Sequence, residues 1–350
     1  MEKRKIRVLQ KHTARTVANQ SMEYVDGRRK GLITSLLTKY TRCNRYLMGG
    51  IELNTIIGIS AMSGAGKSTL SKTIRDSIWE LNPTMDFNQY LFNFEMVAHA
   101  QAARSVVTMG DISMHKLYSV DEPLSDVEFN RLKVYYESLA SREGVFFIET
   151  PETADVIRDS LLHYYKTECK PYNKTMVYEI DHALLTKGQQ GDTEKDKIDK
   201  LMAVLVEVKK IISNDGGSSV GIVLSQMNRN ITSIERIKNK EMHRPQTSDL
   251  FGASSIEQGC DYILFAHMPG KLHLQSYTEA DLPTKMVYNG ENIMIPYFEL
   301  VKNRTGESNL TIPLWNKLKR FDFDEMDMEV FKQLRAMHQA GEKVEYRDRF

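Results

Sequence analysis

Cysteine is scarce in this chain. Cys43, Cys169 and Cys260 are the only three, and no two lie close enough in sequence to act as a metal-ligand pair. That argues against a disulfide framework and fits a reducing, cytoplasmic setting. Charge of one sign is also lacking. Lys plus Arg total 47 and Asp plus Glu 46, a net of +1. The global field therefore announces no nucleic-acid partner, and any such contact must come from local patches. No apolar run approaches the roughly 20 residues that span a bilayer, so no membrane partner is expected. The basic start "MEKRKIRVLQ" leads into no apolar segment, which speaks against a secretory signal. There is no internal repeat.

What is present is alternation. Short apolar, β-branched runs recur between stretches with helical spacing. "NTIIGIS", "QYLFNFEM", "GVFFIET", "KTMVYEID", "SVGIVLSQ" and "CDYILFAH" read as six strands, and "PYFELVKNRTG" with "NLTIPLW" as a terminal pair joined by a turn. Buried strands alternating with helices imply an α/β fold, with a mostly parallel twisted sheet covered on both faces and an antiparallel addition at its end. In such sheets the ligand site lies at the carboxyl ends of the strands.

The first of those ends carries "SGAGKST". Ser63, Gly64, Ala65, Gly66, Lys67, Ser68 and Thr69 lie between a strand and a helix, the context a phosphate-binding loop requires. Small residues admit close approach of backbone N–H groups to phosphate, and the helix dipole adds to them. Lys67 is expected at the β- and γ-phosphates of ATP and Ser68 at Mg²⁺. Ala61 stands where the motif usually has its first glycine.

Hydrolysis needs further groups. Asp181 ends "VYEID" and is the expected second Mg²⁺ residue, or else a helix cap. Glu95 ends "FNFE" and is the expected water-activating base, or else an ordinary helix-start acid. Gln226 ends "VLSQ" as a γ-phosphate sensor, or else a solvent-facing glutamine.

The ordered set "SGAGKST", "FNFEM", "FIETP", "VYEIDHALL", "VLSQMNR", "RPQTSDLFGASSIEQGCDYILFAH" and "VKNRTGESNLTIPL" resembles the C-terminal motor domain of DnaB-type replicative helicases, from about Gly49 to Phe323. The resemblance implies a RecA-like P-loop NTPase and a homo-oligomer, a six-membered ring with ATP at subunit interfaces. It also implies single-stranded DNA in the central channel, with 5′ to 3′ movement. It assigns Lys67 and Ser68 to phosphate and Mg²⁺, Glu95 to water, Asp181 to Mg²⁺, Gln226 to sensing, and Lys302 with Arg304 to trans-acting cations. Lys302 and Arg304 are two apart, so on a strand they share a face. A helicase loader, primase or polymerase is the implied kind of partner.

Residues 1–45 are expected as a basic arm, with Lys3 to Arg15 docking on a neighbouring subunit. Residues 46–325 are expected as the motor and 326–350 as a helical tail. With only about 45 residues before the motor, the usual N-terminal helical domain through which the family meets primase is not expected, and a compact helicase of phage or mobile-element type is.

Two polar insertions follow Asp181 and Gln226, where the family has its channel loops. In the second, Arg229, Arg236, Lys238, Lys240 and Arg244 against Glu235 and Glu241 give five minus two, or +3. Six copies would form a basic collar that tracks phosphates without reading bases. The loop has no aromatic residue, so base stacking is not its mode. Lys187 and Lys195 in the first insertion stand beside acids. Two other functions stay open at this stage. One is a RecA-like recombinase or mediator that forms filaments on DNA. The other is a nucleotide-gated loader or scaffold that barely hydrolyses ATP.

Overall fold

A computed structural model describes residues 11–347. The chain divides into two units at Ser35/Leu36. Most of the expected docking segment Lys3–Arg15 lies outside the described residues. The first unit holds the helix Ala14–Arg29, whose start is capped by Thr13 Oγ1 accepting from the Thr16 N–H at 3.2 Å.

The second unit is built on a nine-stranded sheet, beside two smaller ones: β1 Thr55–Ala61, β2 Phe87–Asn93, β3 Val145–Ile148, β4 Thr175–Asp181, β5 Ser219–Gln226, β6 Tyr262–His267, β7 Tyr297–Asn303, β8 Leu310–Lys317 and β9 Asp322–Glu325 form the large sheet. Their order is β9-β8-β7-β6-β1-β5-β4-β2-β3. β1 to β6 run parallel, and β7, β8 and β9 add antiparallel. All eight expected strands are present, and β9 is an unexpected ninth.

Alternation along the strands fills both faces. Ile57, Ile59, Ile222 and Leu224 join Leu70, Ile74 and Ile78 of the helix Lys67–Leu81 in one core. Ile56, Tyr178, Ile180 and Val223 join Leu201, Leu205 and Val208 of the helix Glu194–Asn214 in another. Two helices were not legible as such, Ala98–Gly110 and Asp126–Ala140. They pack together through Val106 and Leu132.

Contacts run across both expected domain boundaries. Residues 36–45 belong to the sheet-bearing unit because Lys39 Nζ lies 2.6 Å from both Asp322 and Asp324, and Tyr40 Oη donates to the Phe323 carbonyl. The tail is not a separate element either. Its helix Met328–Gln339 buries Phe331 and Leu334 against Tyr277, Met286 and Tyr297, and Glu345–Tyr346 adds a parallel strand to Lys285–Tyr288. A helix start capped by Asp327 and two apolar residues three apart on its inner face are enough to dock it.

Leu334→Ala is expected to lower the stability of the chain by about 2–5 kcal/mol, the range for emptying a buried leucine site. A loosely attached tail would instead give a change within about 0.5 kcal/mol. Urea unfolding of the two chains distinguishes them.

Candidate active site

The register explains why the expected residues meet. β1 pairs Ala61 with Gln226 of β5, and β2 pairs Asn93 with Asp181 of β4. Four neighbouring parallel strands therefore end at one edge, and the turns after them open into a cleft of about 700 Å³. Its walls include Ser63, Gly64, Gly66, Lys67, Ser68, Thr69, Glu95 and Gln226.

The phosphate loop needs its glycines. Gly64 and Gly66 have φ of 65° and 94°, which other residues adopt at a cost. A Cβ on Gly66 would also stand 2.6 Å from Cε2 of Phe323, which β9 places beneath the loop. Ala61 is not among the positive-φ residues, so a methyl group at that strand end is unstrained. The missing first glycine thus leaves the loop intact.

Asp181 is buried at the end of β4. Its Oδ2 accepts from Ser68 Oγ at 3.3 Å, and its Oδ1 lies 3.8 Å from Lys67 Nζ with no hydrogen-bond partner. Burial, then the neighbouring Glu179 charge, pushes its carboxyl up to about 6. Burial also pushes the Lys67 ammonium down, against the opposing fields of Asp181, Glu95 and Glu179. A hydroxyl and an unsatisfied carboxylate oxygen side by side are hard donors, the kind Mg²⁺ takes. The residues present fit that ion. Among the described residues no group of three or more His, Cys, Asp and Glu side chains could hold a metal by itself.

Glu95 lies two residues beyond β2, not at its end, because the strand stops at the Asn93–Asp181 pair. Its side chain is half exposed and lies 3.8 Å from Nε2 of His182, which is buried beside Asp181. Burial and the Lys67 charge push the His182 imidazole down to about 4, so it is neutral at physiological pH. Gln226 is exposed and faces the cleft.

Two contributors were missed. Arg104, on the helix Ala98–Gly110, lines the cleft with its guanidinium 4.4 Å above the Phe321 ring and its Nε buried without a partner. A lone arginine in an alanine-rich helix carries no motif. Glu179, two residues before Asp181 on the same face of β4, holds Arg75 at 3.0 Å and accepts from Ser71 Oγ. That buried pair fixes the helix following the phosphate loop onto the sheet.

The basic residues after Gln226 do not act as one group. Arg236 corrects the expectation of a phosphate contact. Its guanidinium is buried on Asp249, with Nε donating to the Met242 carbonyl at 2.9 Å and Nη2 to the Arg244 carbonyl at 2.6 Å. It is the internal strut of the loop. Arg229 lines the nucleotide cleft, Arg244 is half buried, and Lys240 pairs with Asp281. Lys238 is exposed at the end of a short helix. In the first insertion, Lys187 pairs with Glu152 at 2.9 Å and Lys195 lies exposed in the first turn of the helix Glu194–Asn214.

Lys302 and Arg304 do stand together, but far from this cleft. β7 pairs Lys302 with Ile263, which β6 sets beside Gly58 of β1. The phosphate loop starts only after Ala61, three residues or roughly 10 Å further along and two strands across. Lys302 Nζ donates to the Glu257 and Cys260 carbonyls, and Arg304 to the Gln258 carbonyl at 2.8 Å and to Asp261 at 3.1 Å. Neither cation reaches the cleft of its own chain.

Residues 35–323 match the family described as DnaB-like helicase C terminal domain. The chain belongs to this family. Among its relatives are the replicative DNA helicase DnaC of Bacillus subtilis, 25% identical over 240 residues, and the replicative DNA helicase DnaB of Geobacillus stearothermophilus, 25% identical over 239. Each alignment covers 68% of this chain, which spans about half (48%) of either relative. The fold matches a solved ATPase domain with a TM-score of 0.70 at 17% identity, covering 88% of this chain and 98% of that one. It also matches a DnaB-like replicative helicase solved for its interactions with primase, with a TM-score of 0.69 at 16% identity and coverage of 91% and 68%. The α/β fold expected from the sequence, a mostly parallel sheet with an antiparallel addition, is thereby shown. Among the described residues no helix is long and apolar enough to cross a membrane.

The raised Asp181 carboxyl sets a pH dependence. Its folded value, about 6, exceeds the ordinary 3.8, so in the absence of a cation the folded chain holds a proton the unfolded chain lacks between those values. The stability this gives is full below pH 3.8 and is lost as pH rises through 6. Mg²⁺ competes with that same proton. Mg²⁺-dependent binding of a fluorescent ATP analogue, titrated from pH 5 to 8, should weaken as pH falls through about 6. In Asp181→Asn it should be weak throughout, with the step attributable to the protein gone.

Proposed function

We propose that this chain is the motor of an ATP-driven, ring-shaped DNA helicase that translocates on single-stranded DNA. The observation that carries the reading is the division of one sheet between two edges. Lys67, Ser68, Asp181, Glu95 and Gln226 gather at one, and Lys302 with Arg304 face away at the other. A site complete only when a second copy presents its cations makes hydrolysis depend on subunit geometry, which a motor requires. Family membership supports the same reading, as do the replicative helicases among the relatives. A ring of six, 5′ to 3′ movement, and a loader, primase or polymerase as partner are part of the proposal.

Within the cleft, Lys67 and the loop amides hold the β- and γ-phosphates, and Ser68 and Asp181 would hold Mg²⁺. When bound, Mg²⁺ neutralises charge developing on the phosphoryl oxygens. Glu95 takes the proton of the attacking water. Gln226 faces the γ-phosphate and lies one residue from Met227, which opens the loop bearing Lys238. Loss of phosphate at Gln226 can thus move the loop that meets DNA. Lys238 and Lys240 are the side chains of that loop best placed to reach a phosphate backbone, Lys240 by leaving Asp281.

The test combines ATP turnover, with and without single-stranded DNA, and unwinding of a forked duplex. The expected result is DNA-stimulated turnover with unwinding, both abolished by Lys67→Ala. In the double variant Lys238→Ala with Lys240→Ala, turnover without DNA should persist. The log–log salt slope of single-stranded DNA binding should fall by roughly 0.7 for each phosphate no longer neutralised. Turnover without unwinding, on filaments visible by electron microscopy, would favour the recombinase reading. ATP binding with negligible turnover would favour the scaffold.

A further inference from the structure

We infer that His182 is a positioning residue for Glu95, holding one carboxylate oxygen so that the other faces the attacking water. The inference rests on the ATP-hydrolysis reading and deepens it. Glu95 sits in an irregular bend between β2 and the helix Ala98–Gly110, with a side chain 51% exposed. None of the hydrogen bonds found among the described residues holds its carboxylate. A water-activating base so loosely held would spend most of its time in unproductive rotamers, and misplacement by an ångström is costly to catalysis.

Among the described residues, the basic side chain within 4 Å of that carboxylate is His182, with Nε2 3.8 Å from Glu95 Oε2. The two differ in how firmly they are held. His182 follows Asp181 directly at the end of a central strand, and its side chain is only 6% exposed. It is the fixed member of the pair and Glu95 the mobile one. The two nitrogens of the imidazole differ in their surroundings. Its Nδ1 is buried without a partner, and buried orphan N–H groups are rare, so the proton belongs on Nε2, facing Glu95. The separation is too long for a hydrogen bond, as catalytic contacts often are before substrate binds, and a rotamer shift of the exposed Glu95 closes it.

The role follows from geometry. In the reaction the water oxygen bonds to the γ-phosphorus as the bond from that phosphorus to the β–γ bridging oxygen breaks. ADP leaves with the electron pair, and the water proton passes to Glu95. His182 exchanges no proton. It donates one hydrogen bond to the carboxylate and sets its direction.

The experiment compares steady-state ATP turnover of His182→Phe, which keeps a ring and removes the N–H, with His182→Gln, whose amide N–H₂ reaches to about the same point. His182→Phe should lower kcat roughly ten-fold or more, within the contribution of a positioned base, while KM and nucleotide binding stay essentially unchanged, the pattern of an interaction made only in the transition state. His182→Gln should recover most of the loss. In a Glu95→Gln background, where no base remains to be positioned, adding His182→Phe should leave single-turnover hydrolysis unchanged. Should His182→Phe not fold, His182→Ala is read in the same way. Parent-level kcat in the Phe or Ala variant would overturn the inference. So would an equal loss with and without Glu95. A parent chain that turns over no ATP, with or without DNA, would instead overturn the hydrolysis reading beneath it.

Discussion

The site is organised around one awkward carboxylate. Asp181 is carried to the end of a fully buried strand, beside a second buried acid, and left with Oδ1 unpartnered. An unsatisfied buried polar atom costs about 1–3 kcal/mol, and more when charged. Only part of that is offset by Lys67 at 3.8 Å and Ser68 at 3.3 Å. The remainder is relieved by a proton or a cation. Several features of the cleft follow. Lys67 is held in a partly buried position rather than swinging in solvent, Glu179 is tied off by Arg75 and Ser71, and His182 stays neutral. The phosphate loop lies over this arrangement with Phe323 beneath it, and a side chain at Gly66 would lift it away.

The second constraint is the polarity of the sheet. Six parallel strands send their carboxyl ends, and hence the nucleotide cleft, to one edge. Antiparallel β7 runs the other way and delivers Lys302 and Arg304 to the opposite edge. A chain built so cannot bring these cations to its own phosphate. They rest meanwhile on the carbonyls ending the helix Ala253–Gly259 and on Asp261, favourable partners for cations. Both cations thus have partners within the chain, and their delivery to a neighbouring copy is the proposal, for which the polarity of the sheet is the support.

Much of this was legible in the sequence for definite physical reasons. Buried parallel strands must be continuous apolar runs, so β1, β4, β5 and β6 announced themselves. The phosphate loop combines small residues with one lysine at a strand–helix junction, a pattern with few other uses. What escaped depended on partners distant in sequence. Arg104 gains its meaning from Phe321, Arg236 from Asp249, and the tail helix from Tyr277 and Tyr297. A basic loop residue looks the same in sequence whether it is solvated or buried. For Arg236 the one available signal was Asp249, thirteen positions on, in a segment that already read as polar.

The sharing of the site between copies is tested most directly by mixing two inactive chains. Lys67→Ala lacks the phosphate lysine but retains Arg304, and Arg304→Ala retains Lys67 but lacks the guanidinium. When the two exchange subunits, some interfaces combine an intact Lys67 cleft with an intact Arg304 edge. ATP turnover should then appear in the mixture although neither chain alone supports it, and should peak at an intermediate ratio. If turnover stays at the level of the separate variants at every ratio, in mixtures shown by mass spectrometry to have exchanged, Arg304 does not complete the site of a neighbouring copy.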